Sequence, residues 1–169
     1  MGMTRRSDQE KFDRFTELAA RVLGVPILSV FLVGPRHGVV TSSAGLPAPL
    51  VLLLAHRFSR HVAASRRPLV IHDARAHPLG ANTPAVQDGL VIAYAGVPLF
   101  DAGGGTLGTL CVMDTRPRVW TREQLERLYD VAWVLGHAVD WRAPRRPASE
   151  PRQWRRPAAG HGTPHPSQG

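Results

Sequence analysis

A chain of 169 residues has room for one compact domain and its tails, at the usual ratio of about 100–200 residues per domain. Its single cysteine, Cys111, excludes an intramolecular disulfide framework and a zinc ribbon. Its longest apolar run, Leu50 to Ala55, falls far short of the roughly 20 residues that cross a bilayer. Formal net charge is +8, yet +5 of it lies from Arg142 onward, where six arginines face only Glu150, so the excess belongs to a tail and no nucleic-acid surface is expected.

The N-terminal stretch Met1 to Asp13 mixes charges of both signs and lacks the apolar run of a secretory signal; together with the lone cysteine this predicts a cytoplasmic protein with no membrane attachment. Residues 1–7 read as a short tail and 8–141 as the domain. Residues 142–169, rich in Arg, Pro, Gly, Ser and His, cannot bury enough surface to offset the entropy of ordering and read as a disordered tail.

Within the domain, Asp8 is placed to cap a first helix in which Phe12, Phe15, Leu18, Ala19, Val22 and Leu23 recur at helical spacing, ended by Gly24 and Pro26. Two strands follow, Ile27 to Val33 and Val39 to Ser42, parted by the turn formers Gly34, Pro35 and Gly38. A second helix covers about 50–64. Pro68 opens a short strand, Leu69 to His72, and Asp73 to Gly89 is a turn-rich segment, the longest irregular stretch of the domain. The strands Val91 to Phe100 and Thr106 to Asp114 are joined through Gly103, Gly104 and Gly105, a hairpin loop without the lysine and helix that a phosphate-binding loop needs. Thr121 and Gln124 form a capping box, with Trp120 and Leu125 as its staple, opening a last helix to about Trp141. That helix carries two adjacent apolar stripes. One runs Leu125, Leu128, Ala132, Leu135 and Val139; the other runs Val131, Val134, Ala138 and Trp141. The first covers a sheet and the second seeks a partner helix.

Six blocks in register, FDRFTELAARVLG (12–24), FSRHVAASRRP (58–68), LVIHDAR (69–75), YAGVPL (94–99), LGTLCVMD (107–114) and RPRVWTREQL (116–125), resemble a GAF domain of the kind found beside bacterial histidine kinases, diguanylate cyclases and phosphatases. The resemblance implies an α/β (α+β) fold of the GAF/PAS type. It has a central antiparallel sheet of five to six strands, the N- and C-terminal helices on one face, and a helix and long loop over the other. It further implies a homodimer through a helix bundle and a pocket beneath the loop, where relatives hold cyclic nucleotides, tetrapyrroles, haem or small metabolites. Four positions depart from the pattern: Ser59 where a cysteine is common, His77-Pro78 for Asp-Pro, Gly80 for an aromatic, and Ile92 near the place of an arginine.

Candidate ligand contacts are Phe31, Phe58, His61, Asp73, Tyr94, Thr109 and Cys111. Binding cavities are mainly apolar with a few placed polar groups, and core packing explains the aromatics equally well. Asp73 ends a strand where a carboxylate can hold the turn instead. Period-two alternation sets Cys111 on the face of Leu107, Thr109 and Met113. As a lone buried thiol it reads as a small hydrophobe, with no resolving partner for redox work. His56 and His61, five apart, point to different sides of a helix, and no metal site is expected. The candidate dimer interface is Val131, Val134, Ala138 and Trp141. The expected activity is a non-catalytic sensor that binds a small molecule of unknown identity, with no cofactor assigned, and regulates a kinase or phosphatase in trans. Its alternatives are a ligand-free docking module with Leu50 to Leu54 exposed and, third, a cysteine-dependent redox enzyme.

Overall fold

In the computed structural model, residues 6–33, 38–46 and 48–138 are described. The expected tail 142–169, together with Trp141, lies outside them.

Helix α1 (Arg6–Leu23) leads into strand β1 (Ile27–Val33) and β2 (Gly38–Ala44), then helix α2 (Ala48–Ser65) and the short strand β3 (Leu69–Ile71). A 3₁₀ turn (Ala74–Ala76) and the one-turn helix α3 (Pro84–Gln87) precede β4 (Ala93–Phe100), β5 (Thr106–Asp114) and helix α4 (Arg122–Ala138). The five strands form one sheet in the order β2-β1-β5-β4-β3, and every pairing in it is antiparallel.

Alternation along the strands divides the core in two, because successive side chains point to opposite faces. Leu28, Val30, Ala93, Ala95, Val97, Leu99, Leu110 and Val112 face one side and pack with Ala19, Ala20 and Leu23 of α1 and with Leu128, Ala132 and Leu135 of α4. Ile27, Tyr94, Cys111 and Met113 face the other side, under Phe58 and Val62 of α2 and under Ala74, Ala85 and Val86 of the β3–β4 connection. The terminal helices thus share one face of the sheet, and α2 with the loop covers the opposite one.

The expected elements all form, with shifted ends. Helix α1 begins at Arg6, two residues before the expected cap at Asp8. Helix α2 spans Ala48–Ser65, and the side chains of Leu50 to Leu54 lie outside the described ones. The capping box of α4 is made in full: the Gln124 N–H donates to Thr121 Oγ1 at 3.2 Å, and the Thr121 N–H donates to Gln124 Oε1 at 3.0 Å. Trp120 and Leu125 pack on the same core.

One facial assignment is corrected. Leu107 packs with the α1/α4 side, not with Thr109, Cys111 and Met113. Leu99 pairs with Gly108 and Phe100 with Thr106, so Leu107 is the extra residue of a β-bulge and leaves the alternation. The turn-rich segment from Asp73 to Gly89 is also less irregular than its composition predicts, since it holds the 3₁₀ turn and α3. It is laced to the sheet by the Ala74 N–H to Ile92 O bond at 2.7 Å and the Ile92 N–H to Asp114 O bond at 2.9 Å.

Candidate functional site

The sheet face under α2 carries most of the residues expected to meet a ligand, and the structure brings five of the seven to it. Tyr94 from β4, Phe31 from β1, and Thr109 and Cys111 from β5 are buried there, and Phe58 of α2 lies over them. The Phe58 and Tyr94 rings sit 5.0 Å apart at 48°, a tilted pairing that adds to the stabilisation from buried area alone. Phe31 meets His56 edge-on at 5.6 Å.

A chain of hydrogen bonds runs through the middle of this layer. Tyr94 Oη and Ser59 Oγ are 3.1 Å apart. Ser59 Oγ donates to Cys111 Sγ at 3.8 Å, and the Cys111 thiol donates to the Ser29 carbonyl at 3.6 Å. Since a hydroxyl has one proton to give, Ser59 spends its own on the sulfur and Tyr94 is the donor in the first bond. Thr109 Oγ1 donates to the Ser59 carbonyl at 2.8 Å, fixing α2 to β5 from the same spot. Ser59 is therefore the hub of the layer. Its position was visible in the sequence only as a departure from the usual cysteine.

Burial sets the protonation of this chain. It pushes the Cys111 thiol up to about 11, against the partial relief of bonds from Ser59, Tyr94 and Ser29, and it holds the Tyr94 phenol well above its ordinary value, helped by the charge a Cys111 thiolate would carry. Both groups are protonated near neutrality, so the thiol is a poor nucleophile. Native protein should accordingly react with a disulfide reagent such as Ellman's only as fast as it unfolds, with prompt stoichiometric reaction in guanidinium. Because the folded-state value lies above the ordinary one of 9.0, the unfolded chain releases the proton first. Stability from this group is whole below about pH 9 and drains away as pH rises through about 11. The alkaline limb of a denaturation-midpoint profile should flatten in Cys111→Ser.

Two candidates lie apart from the layer. His61 is exposed on the outer side of α2. Asp73 sits at the start of the 3₁₀ turn, where it accepts the Arg75 N–H at 3.0 Å and binds the Arg75 guanidinium at 2.9 and 2.7 Å. That side-chain bond, before other causes, lowers its carboxyl from the ordinary value. The remaining departures have local partners as well. His77 Nδ1 accepts the Leu79 N–H at 3.2 Å, and a Cβ on Gly80 would fall 2.7 Å from the Ala74 carbonyl and 3.2 Å from the Phe58 ring. Ile92 is buried among the α2-side core. Among the described residues no three His, Cys, Asp or Glu side chains come together in a way that could hold a metal ion, and no helix is long and apolar enough to cross a membrane.

On the other side of the sheet, Val134 is exposed and Val131 is half-buried against the core; the Ala138 side chain and Trp141 lie outside the described set. Three large apolar residues absent from the expected interface stand out further: Trp133 is 63% exposed, and Leu18 and Val22 of α1 are 60% and 62% exposed. Leu18 and Val22 lie four apart on a helix whose buried residues are Thr16, Ala19, Ala20 and Leu23. That second stripe on α1 was the available sequence signal.

A family model for the GAF domain matches residues 9–139. No curated protein matches. The fold is similar to that of the GAF domain of a phosphoenolpyruvate-protein phosphotransferase from Acinetobacter, with a TM-score of 0.63, 19% identity, and coverage of 76% of this chain and 79% of that one. It is similar to a domain of a putative two-component sensor histidine kinase from Sinorhizobium meliloti, with a TM-score of 0.59, 16% identity, and coverage of 75% and 87%. It is also similar to the free methionine-R-sulfoxide reductase from Neisseria meningitidis, solved with its substrate, with a TM-score of 0.59, 18% identity, and coverage of 76% and 75%. With its sheet order, its two-sided core and a family match over most of its length, the chain belongs to the GAF domain family, a family of signalling and sensor modules.

Proposed function

We propose that residues 8–141 form a non-catalytic sensor module that binds a small molecule on the α2 side of the sheet, pairs with a second copy through α1 and α4, and regulates an output protein in trans in the cytoplasm. The observation that carries the reading is the division of labour between the two faces. One face gathers Phe31, Phe58, Tyr94, Thr109 and Cys111 under α2 and the 73–89 connection. The other leaves Leu18, Val22, Trp133 and Val134 in solvent on the two terminal helices. Water-exposed apolar side chains at such density mark an interaction surface more often than an ordinary exterior. Ligand binding would act by shifting the balance between two packings of those helices. Kinase or phosphatase outputs suit the surroundings in which a similar domain is found, that of a putative sensor histidine kinase.

Analytical ultracentrifugation at micromolar concentration is expected to give a dimer, and Trp133→Glu with Val134→Glu to give a folded monomer by circular dichroism. Only monomer in the unsubstituted protein, with and without cytoplasmic extract of its host, would overturn the dimer. Native mass spectrometry of protein from that host tests the ligand directly. Phe31, Phe58, Tyr94, Thr109 and Cys111 are its proposed contacts, while His61 and Asp73, expected beside them, lie apart from this layer.

A second reading, a docking module without a small ligand, is favoured by one observation: Tyr94, Phe58 and Cys111 already satisfy and pack one another. A redox enzyme ranks below both, because Cys111 is buried and has no second cysteine to resolve it. Unchanged function in Cys111→Ser would remove it.

A further inference from the structure

The outward face of α2 differs from that of α4 in how it treats charge. On α4, arginines are neutralised within the helix: Arg122 pairs with Glu126 at 2.9 Å, and Arg127 pairs with Glu123, each four residues apart. On α2, Arg57, Arg60 and His61 fall at i, i+3 and i+4 opposite the buried Phe58, Ser59, Val62 and Ala63, and all three are exposed. Arg67, just past the helix, adds a further exposed guanidinium. No acidic residue occurs anywhere between Glu17 and Asp73. Among the described residues nothing pairs with Arg57, Arg60 or Arg67. Neighbouring Arg66 is already engaged, stacked 4.8 Å over Phe100 and donating to the Gly104 carbonyl at 3.0 Å.

Like charges at these spacings weaken a helix, so the row brings no benefit to the fold. What it offers is a line of unpaired guanidinium groups, each able to grip a carboxylate with two parallel bonds. We propose that the Arg57–Arg60–His61–Arg67 row is a docking surface for an acidic protein segment, one presenting carboxylates along a helix or extended strand. Charge complementarity sets the partner's sign and the size of the row sets its class. From Arg57 to the end of the helix at Ser65 the face runs about 12 Å at helical rise. That length suits three or four carboxylates, whereas a duplex site commonly neutralises about 6–10 phosphates across a wider surface. The surface requires neither the proposed ligand nor the α1/α4 dimer, so either can fail without it.

The test is fluorescence anisotropy with the full chain and a labelled helical peptide carrying glutamates at i, i+3 and i+4, at about 50 mM salt, where surface charges are only partly screened. Three forms are compared: the unsubstituted protein, Arg57→Glu with Arg60→Glu, and a control with Arg152→Glu, Arg155→Glu and Arg156→Glu in the tail. The expected result is about tenfold weaker binding for the helix variant and little change for the tail variant, with both folded by circular dichroism. Loss confined to the tail variant would overturn the proposal. So would tighter binding of a random-sequence DNA duplex than of the peptide, lost on the same helix substitutions. No measurable peptide binding by the unsubstituted protein would overturn it too.

Discussion

Replacing Gly136 by alanine should lower stability by about 1–3 kcal/mol, the range of an overpacked core site. Intrinsic propensity argues the reverse, since alanine in a helix interior is favoured over glycine by about 1 kcal/mol. The contact decides the sign. A Cβ at Gly136 would fall 2.0 Å from the Phe100 carbonyl oxygen and 3.1 Å from its carbon, and those atoms are backbone at the end of β4, unable to rotate away. Helix α4 therefore approaches β4 through a bare glycine, and a side chain there must lift the helix from the sheet and open the contacts of Leu135 and Ala132. The urea midpoint should fall by roughly 1–2 M at the slope usual for small domains. Gly136→Val should fall further. A midpoint at or above that of the parent would mean that α4 can ride outward without cost.

Tyr94→Ala is expected to cost about 3–5 kcal/mol, the usual cost of removing a buried aromatic. The ring is completely buried against Phe58, and it lies back over Gly96, whose missing side chain makes the room: a Cβ there would stand 2.4 Å from Tyr94 Oη. Tyr94→Phe separates packing from polarity. It keeps the ring and removes only the proton given to Ser59, so about 1 kcal/mol should go, the net worth of an ordinary hydrogen bond. Ser59 retains its own donation to Cys111 in that variant. Equal losses for the two substitutions would show that the hydroxyl, and not the ring, holds this layer together.

How far these features were legible depended on how local their causes are. The α4 start could be read from four residues because a capping box closes within one turn, and both its bonds are present. Strand faces followed from alternation until Leu107, where a bulge set by pairing with β4 broke the count. The Tyr94–Ser59–Cys111 chain joins residues 35 and 52 positions apart, and no spacing rule reaches that far. Gly136 drew no notice in the sequence, because its reason is the Phe100 carbonyl of another element. Leu18 and Val22 carried the right period but not the information that their stripe stays in water.

Strand β5 lies in the middle of the sheet yet is the last strand along the chain, bridging β1 and β4. Ile27 finds its partner only when Met113 exists. On a ribosome adding about 5–20 residues per second, the stretch from Ala44 to Asp114 keeps the β1–β2 hairpin waiting roughly 3.5–14 s with one edge unpaired. Its inward row of Leu28 and Val30 can meet α1, which is already made, but goes without α4 for longer still. The hazard for this chain is therefore one of birth order. The newborn hairpin is an open template for another hairpin like it, so truncation or pausing just before Thr106 should produce aggregates where the finished chain does not.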